Sequence, residues 1–504
     1  MLVAERDEVR ETFRMDPRAP SSIDRRTFLT QVALAVPPIL AAPTLLGCRT
    51  TPAQTSSHHT LPPRRVRLAL IGCGGRGREN LDALLGADAE IAALCDVSRT
   101  ARDAARAHVA TARADAAPTV FADLRDIFAR RRELALDGVL VSTPDHTHAI
   151  ATALALRAQL PVYCEKPLTH TLAESRRILE LARAARVPTQ LGTQIHAGEN
   201  YRRVLEHIQS GAIGRITSCD CWVNKGWCCG PTGPIVSPPE DLDYDLWLGP
   251  AQRAPYIANL HPANWRKYWA YGTGTLGDMG CHMLDLPLWA LGLDRNALGA
   301  VEVFATAERV DRVACPEWTE ASWAIPQVDA VGAPIDPLVL RWFDGGRMSP
   351  TAQELGAKDR VDYHGRFNMV FQGTKGWLWA NYNELLLTPG ALASDVAEAT
   401  ARTPSARIPP SPGHHREWID AIRRWRKGDD AAWNAPLCAF ERSTVLNELV
   451  LSGTVAARAS EPVTYDFRTQ QFRDGNPTSM WEPEVRAGWS LEDRNLDRIL
   501  SGSA

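Results

Sequence analysis

The chain has 504 residues, 45% hydrophobic and 23% charged, with a formal net charge of −3. That length exceeds one ordinary core, so two domains plus appendages are expected. The near-neutral balance gives no electrostatic case for nucleic acid or an anionic membrane as partner. No stretch holds the roughly 20 consecutive apolar residues of a spanning helix.

Arg25-Arg26-Thr27-Phe28-Leu29 precedes an apolar run broken by Pro37, Pro38 and Pro43. The segment resembles a twin-arginine export signal. It departs from that pattern at Asp24, where Ser or Thr is usual, and at Thr30, where Lys is frequent. Leu45-Leu46-Gly47-Cys48 resembles a bacterial lipobox, in which Cys48 would carry the lipid. Residues 1–48 are therefore expected to be a signal, and the Thr/Ser/Pro-rich 49–63 a tether. This implies an exported protein of the periplasm or cell envelope, touching membrane only through an N-terminal lipid. His58 and His59 in the tether read as a solvated pair.

From Arg64 the pattern alternates strands and helices. Residues 66–71 form an apolar strand, and Gly72, Gly74 and Gly77 complete G-x-G-x-x-G. The first glycine permits the tight turn, the second lets backbone approach a pyrophosphate, and the third lets the next helix pack on the strand. Gly75 and Arg76 sit at the start of that helix, whose free N–H groups attract phosphate. A second strand, Glu90–Cys95, ends in Asp96. A carboxylate about 20 residues beyond the motif binds a ribose 2′-hydroxyl, which favours NAD; Arg99 leaves NADP open. Strands at 140–143, 161–165 and 189–193 follow, and Thr171-Leu172-Ala173-Glu174 is a capping box. Residues 64–193 are expected to be a Rossmann domain with a doubly wound parallel sheet.

"STPDHTHA" (142–149) and "CEKPLTHTLAES" (164–175) resemble the glucose–fructose oxidoreductase, inositol dehydrogenase and rhizopine-catabolism (Gfo/Idh/MocA) family. The resemblance implies a second α/β domain, here 194–504, with a large, mostly antiparallel sheet. It also implies a nicotinamide cofactor, a sugar-like or polyol substrate, and a homo-oligomer formed through that sheet. In Glu165-Lys166-Pro167 it implies a catalytic lysine near the nicotinamide. Thr143, Pro144 and His148 match a loop along the cofactor, and Gln194 another cofactor-facing position. "GTGTLGDMGCHMLDLPLWALGL" (272–293) matches the family's Asp-x-x-x-His at Asp278 and His282. Four residues apart on a helix, these two share a face. Asp285 extends that face and counts with the substrate residues, as an orienting or capping group.

These residue types suffice for alcohol oxidation. A hydride leaves the carbinol carbon and a proton leaves the hydroxyl. Either Lys166, if burial and cofactor lower its pKa, or His282, which titrates near neutrality, takes that proton. Asp278 would hold the imidazole tautomer or contact a substrate hydroxyl.

All sixteen tryptophans lie after residue 200, which marks a domain boundary near 190–200. "YDLWLGPAQRAPY" and "PANWRKYWAYG" form an aromatic loop before the catalytic helix. Trp265, Arg266 and Tyr271 are the substrate candidates there, Arg266 for hydroxyls or a carboxylate. "CDCWVNKGWCC" does not match zinc-knuckle spacing, so its cysteines read as buried thiols or one disulfide, with no metal expected. "MWEPEVRAGWSL" (480–491) resembles a C-terminal segment of exported bacterial members. Residues 350–364 read as an irregular insertion, and His414-His415 as caps or solvated groups at a helix start.

An export signal ahead of a dinucleotide pocket implies a cofactor carried across in the folded protein, held tightly and regenerated within each cycle. An NAD(P)-dependent sugar or polyol oxidoreductase is the first reading. The second is a glycoside hydrolase that oxidises transiently, eliminates the aglycone and returns the hydride. Relatives that cleave N-acetylgalactosaminides work this way but depart from the lysine of Glu-Lys-Pro, so Lys166 favours the first. The third is a non-catalytic surface sugar-binding protein, which the intact glycines, Lys166, Asp278 and His282 oppose.

Overall fold

Five residues, "RLALI", make β1 (Arg67–Ile71), and the four apolar ones are buried. Burial on both faces is what a central parallel strand requires. In the computed structural model, which describes residues 64–228, 233–309, 311–389, 408–473, 475, 477 and 484–503, this strand seeds a six-stranded sheet. The others are β2 (Glu90–Cys95), β3 (Thr119–Phe121), β4 (Gly138–Val141), β5 (Val162–Cys164) and β6 (Thr189–Leu191), in the order β3-β2-β1-β4-β5-β6. Every pairing is parallel. The export signal, the lipobox and the tether lie outside the described residues.

The turn after β1 admits only glycine at two points. Gly72 has φ +87°, and a Cβ there would lie 2.5 Å from the Ser142 carbonyl oxygen. A Cβ on Gly77 would lie 2.0 Å from the Gly72 oxygen, so the helix Arg76–Gly86 seats directly against the strand end.

A second sheet has nine strands. They are β7 (Ile216–Trp222), β8 (Ala300–Ala307), β9 (Thr319–Val328), β10 (Pro334–Phe343), β11 (Met369–Gly373), β12 (Gly376–Ala380), β13 (Leu385–Pro389), β14 (Val463–Asp466) and β15 (Gln471–Phe472). Their order is β13-β12-β11-β7-β10-β9-β8-β14-β15. Only β7 and β10 run parallel. Alternation on β8 leaves Val301, Val303 and Ala305 buried and their neighbours outward, as a one-sided sheet demands. The buried helix Phe440–Ala459 packs on β8 and β9 and on the helix Leu172–Ala185, and so ties this sheet to the first domain.

The chain also returns to the first domain. Trp418, Ile419 and Ile422 of the helix His414–Trp425 join the core of Leu68, Leu70, Leu140 and Tyr163. Asp493–Leu500 packs near the helices Leu124–Ala129 and Asp145–Arg157. Residues 350–364 are not irregular: Ser349 caps a helix at Pro350–Asp359, its hydroxyl accepting from Ala352 N, and Tyr363–Arg366 follows. Ser-Pro at Ncap and N1 is the local cause. His414 and His415 are not solvated. The first approaches the Leu191 carbonyl at 2.8 Å, and the second stacks on Tyr163 and bonds Asn80.

Candidate active site

A cavity of about 860 Å³ runs from the glycine turn to the helix Gly274–Met283. At one end Gly74, Gly75 and Arg76 line it. A Cβ on Gly74 would meet nothing closer than 3.9 Å, so the backbone there faces open space. Gly75 begins the helix with no side-chain cap, and the N–H groups of Gly77 and Arg78 bond back to the Gly74 (2.8 Å) and Gly75 (3.1 Å) carbonyls, so the helix start faces an anion through the turn ahead of them. Asp96 lines the cavity with its carboxylate fixed by the N–H groups of Cys73 (2.7 Å) and Ser98 (2.8 Å). Arg99 does not reach it. Thr143 lines the same wall, and its buried hydroxyl has no partner among the described residues. This uncapped helix start, fixed acid and orphaned hydroxyl fit a dinucleotide whose ribose lacks a 2′-phosphate. Asp96→Ala should raise the KM for NAD roughly tenfold, the loss of one charge-assisted hydrogen bond, and narrow the preference over NADP; steady-state kinetics with both cofactors checks it.

Glu165, buried at the floor, accepts from Gln194 Nε2 (2.7 Å), Asn80 Nδ2 (2.9 Å) and Arg76 Nε (3.4 Å). It therefore aligns Arg76 and Gln194 along the wall. Pro144 starts the helix Asp145–Arg157. His148 borders the cavity, but its ring nitrogens meet the carbonyls of Thr143 (2.7 Å) and Pro167 (2.6 Å). Burial alone would lower its pKa, yet Cys164, Asp145 and the Pro167 carbonyl lift it to about 9. A doubly protonated ring clamps the Thr143 loop to the Lys166-Pro167 loop, in place of a direct bond to cofactor.

At the other end the two domains meet. Lys166 Nζ donates to Asp278 Oδ1 at 2.6 Å and to the Asp278 carbonyl at 2.9 Å. Lys225 Nζ (2.8 Å) and the Trp227 indole N–H (2.6 Å) donate to Oδ2, and Arg266 Nε lies 3.4 Å from Oδ1. Burial opposes the charges, but Lys166, Arg266 and Lys225 hold the Asp278 carboxyl well below its usual range. Burial likewise opposes the Lys166 ammonium, and Asp278 overcomes it, so the lysine pKa is raised. His282 lines the cavity with no hydrogen bond to Asp278, and its Nδ1 is buried with no partner among the described residues. Burial and the neighbouring Lys166 push its pKa down to about 3, against the pull of Asp278. The imidazole is neutral, and Asp278 is spent on cations and does not hold its tautomer.

Of the four substrate candidates, Trp265 and Arg266 line the cavity. Tyr271 does not; it packs in a core with Trp247, ring centroids 4.8 Å apart, and His146. Asp285 turns away, because the helix breaks at Leu284 and a new one runs Asp285–Ala290. Its carboxylate accepts from His196 Nδ1 (2.8 Å) beside a separate cavity of about 750 Å³. Lys225 and Trp227 were hidden inside the cysteine-rich stretch. Cys219 and Cys221 are buried thiols on β7, Cys228 is free, and Cys229 lies outside the described residues.

A Rossmann domain and an α/β domain thus close a shared cleft, with a lysine of one bonded to an aspartate of the other. Comparison with known proteins finds similarity in both domains. Residues 66–193 match the model described as "Oxidoreductase family, NAD-binding Rossmann fold", and 212–325 the model described as "Oxidoreductase family, C-terminal alpha/beta domain". Both are Gfo/Idh/MocA models, so the chain is similar to that family over these two segments, the first of them a NAD-binding Rossmann match.

The chain is 35% identical to an inositol 2-dehydrogenase of Leifsonia xyli subsp. xyli over 147 residues, 29% of this chain and 42% of that one. It is 25% identical to a levoglucosan dehydrogenase of Pseudarthrobacter phenanthrenivorans over 272 residues, 51% of this chain and 58% of that one. Thus it spans about half the length of these relatives. The WlbA dehydrogenase of Bordetella pertussis, solved with NADH and UDP-GlcNAcA, superposes with TM-score 0.52 at 18% identity, covering 79% of this chain and 98% of that one. At that identity the likeness shows the fold.

Proposed function

We propose that the protein oxidises a CH–OH group of a sugar, sugar derivative or polyol with NAD. The observation that carries this is the Lys166–Asp278 bond of 2.6 Å, formed across the cleft beside a neutral His282. Gly74, Gly75, Asp96, Thr143 and Gln194 would hold the dinucleotide. When bound, its nicotinamide supplies the hydride acceptor. The chain's own groups do the rest. The Lys166 ammonium, kept protonated by Asp278, donates to the substrate oxygen and stabilises the charge that grows there. His282, kept neutral, takes the hydroxyl proton. Buried Trp265 and the Arg266 it supports shape the substrate end.

The reading extends to export through Arg25-Arg26, with Cys48 as lipid site, a tightly held cofactor, and assembly as a homo-oligomer through the second sheet. The test starts with protein purified from the envelope fraction without added nucleotide, then denatured. About one NAD(H) released per chain supports a captive cofactor. NADH formation, or reduction of a second sugar, on a panel of polyols and sugars supports the oxidation. Cleavage of chromogenic glycosides with no net oxidation would replace it by the hydrolase.

A further inference from the structure

The substrate end of the cleft is unusually rich in cations. Lys166, Lys225 and Arg266 all converge on one carboxylate, Asp278. Lys166 is enclosed, with its side chain 12% exposed. Lys225 and Arg266 keep 41% and 25% of their side chains open. Both are held in place by aromatic faces. The Arg266 guanidinium lies 4.1 Å from the Trp265 ring and 5.5 Å from the Trp227 ring, and the Lys225 ammonium lies 4.7 Å from Trp227. Such faces fix a cation's position without adding an acid of their own.

The donors on this wall outnumber the acceptors. Asp278 Oδ1 already takes Lys166 and Arg266, and Oδ2 takes Lys225 and Trp227. Arg266 Nη1 reaches the Ala263 carbonyl at 3.4 Å, while its Nη2 donates to nothing among the described residues. A sugar hydroxyl both donates and accepts, whereas a carboxylate only accepts. Behind the wall sits Asp145, buried and tied to the Thr273 hydroxyl at 2.8 Å.

We propose that Lys225 and Arg266 form a carboxylate subsite, and that the substrate is a sugar acid of the uronate or aldonate class. This rests on the NAD-dependent oxidation proposed above. Arg266 presents a planar fork suited to two parallel bonds to a carboxylate, and Lys225 adds a point charge. The substrate carboxylate then takes over the two outer cations, and Lys166 stays on Asp278.

The test compares glucuronate, galacturonate and gluconate with glucose, galactose and glucose 6-phosphate, by NAD-dependent kinetics and by calorimetric titration of the NAD-loaded protein. An acid should exceed its neutral parent in kcat/KM by roughly tenfold or more, the effect of one charge-assisted hydrogen bond. Lys225→Met and Arg266→Gln should each collapse that ratio. Equal use of acid and neutral sugar, a ratio indifferent to both substitutions, or a preference for the phosphate would overturn the subsite. Tight binding of an acid with no oxidation would keep the subsite and sink the assigned reaction. No binding of any acid would sink the subsite alone if a neutral sugar is still oxidised.

Discussion

Replacing Lys166 with methionine is expected to lower kcat by roughly 10³-fold, the loss of a preorganised donor at the reacting oxygen. NAD affinity should stay within about threefold, since the loss falls on an interaction made in the transition state. The reasons lie in the neighbours. Methionine keeps the aliphatic stem and removes only the ammonium. Asp278 is then not stranded, because Lys225 (2.8 Å) and Trp227 (2.6 Å) still bond its Oδ2 and Arg266 remains 3.4 Å from Oδ1. A buried carboxylate left without partners would be strongly destabilising; this one keeps three, so the thermal midpoint should stay close to that of the parent. Steady-state kinetics, NADH fluorescence titration and a melting curve on one preparation separate the effects. A kcat within tenfold of the parent would place the ammonium away from the reacting oxygen. Equal losses of kcat and melting point would instead make Lys166 a domain staple.

How much of this was legible in the sequence depends on how local each cause is. The glycine turn, the strand before it and Asp96 after it act within some 30 residues, and the backbone rules that need them show in the sequence itself. The capping box at Thr171 and Glu174 is equally local, and both its bonds form. The second sheet was legible only as a class. The parallel pairing of β10 with β7, and β14 and β15 joining β8, are set by long-range packing that no local period encodes. Asp285 misled because a continuous helix would keep residues 278, 282 and 285 on one face. The break at Leu284, followed by Pro287 with no N–H to give, ends that period and turns the carboxylate to His196. Tyr271 misled because an aromatic ring beside a glycine-rich loop fits a sugar platform or a core equally well. Lys225 and Trp227 went unnoticed since their function depends on a partner some 50 residues away on another element. Their only local signal is a cation and an indole flanking a glycine just beyond a buried strand.

His282→Ala is the companion experiment, and its sharper readout is pH. Loss of the proton acceptor should lower kcat by about 10²- to 10⁴-fold, and free imidazole should restore part of it by entering the space left. In the parent, burial and Lys166 hold the imidazole pKa near 3, so the ring stays neutral far below the usual titration of histidine. The neutral form is the active one. Activity is therefore lost only as pH falls through that depressed value, and kcat/KM should stay flat from pH 8 down to about 5, where an ordinary histidine would already have cut the rate. Lys166 supplies the second handle. Its charge is a named cause of the depression, so Lys166→Met should move the acid limb of the residual activity upward. An acid limb near the ordinary histidine value in the parent, unmoved by Lys166→Met, would mean that another group takes the proton. A limb that shifts upward in the lysine variant ties the two residues into one electrostatically coupled pair, with the ammonium keeping the imidazole neutral.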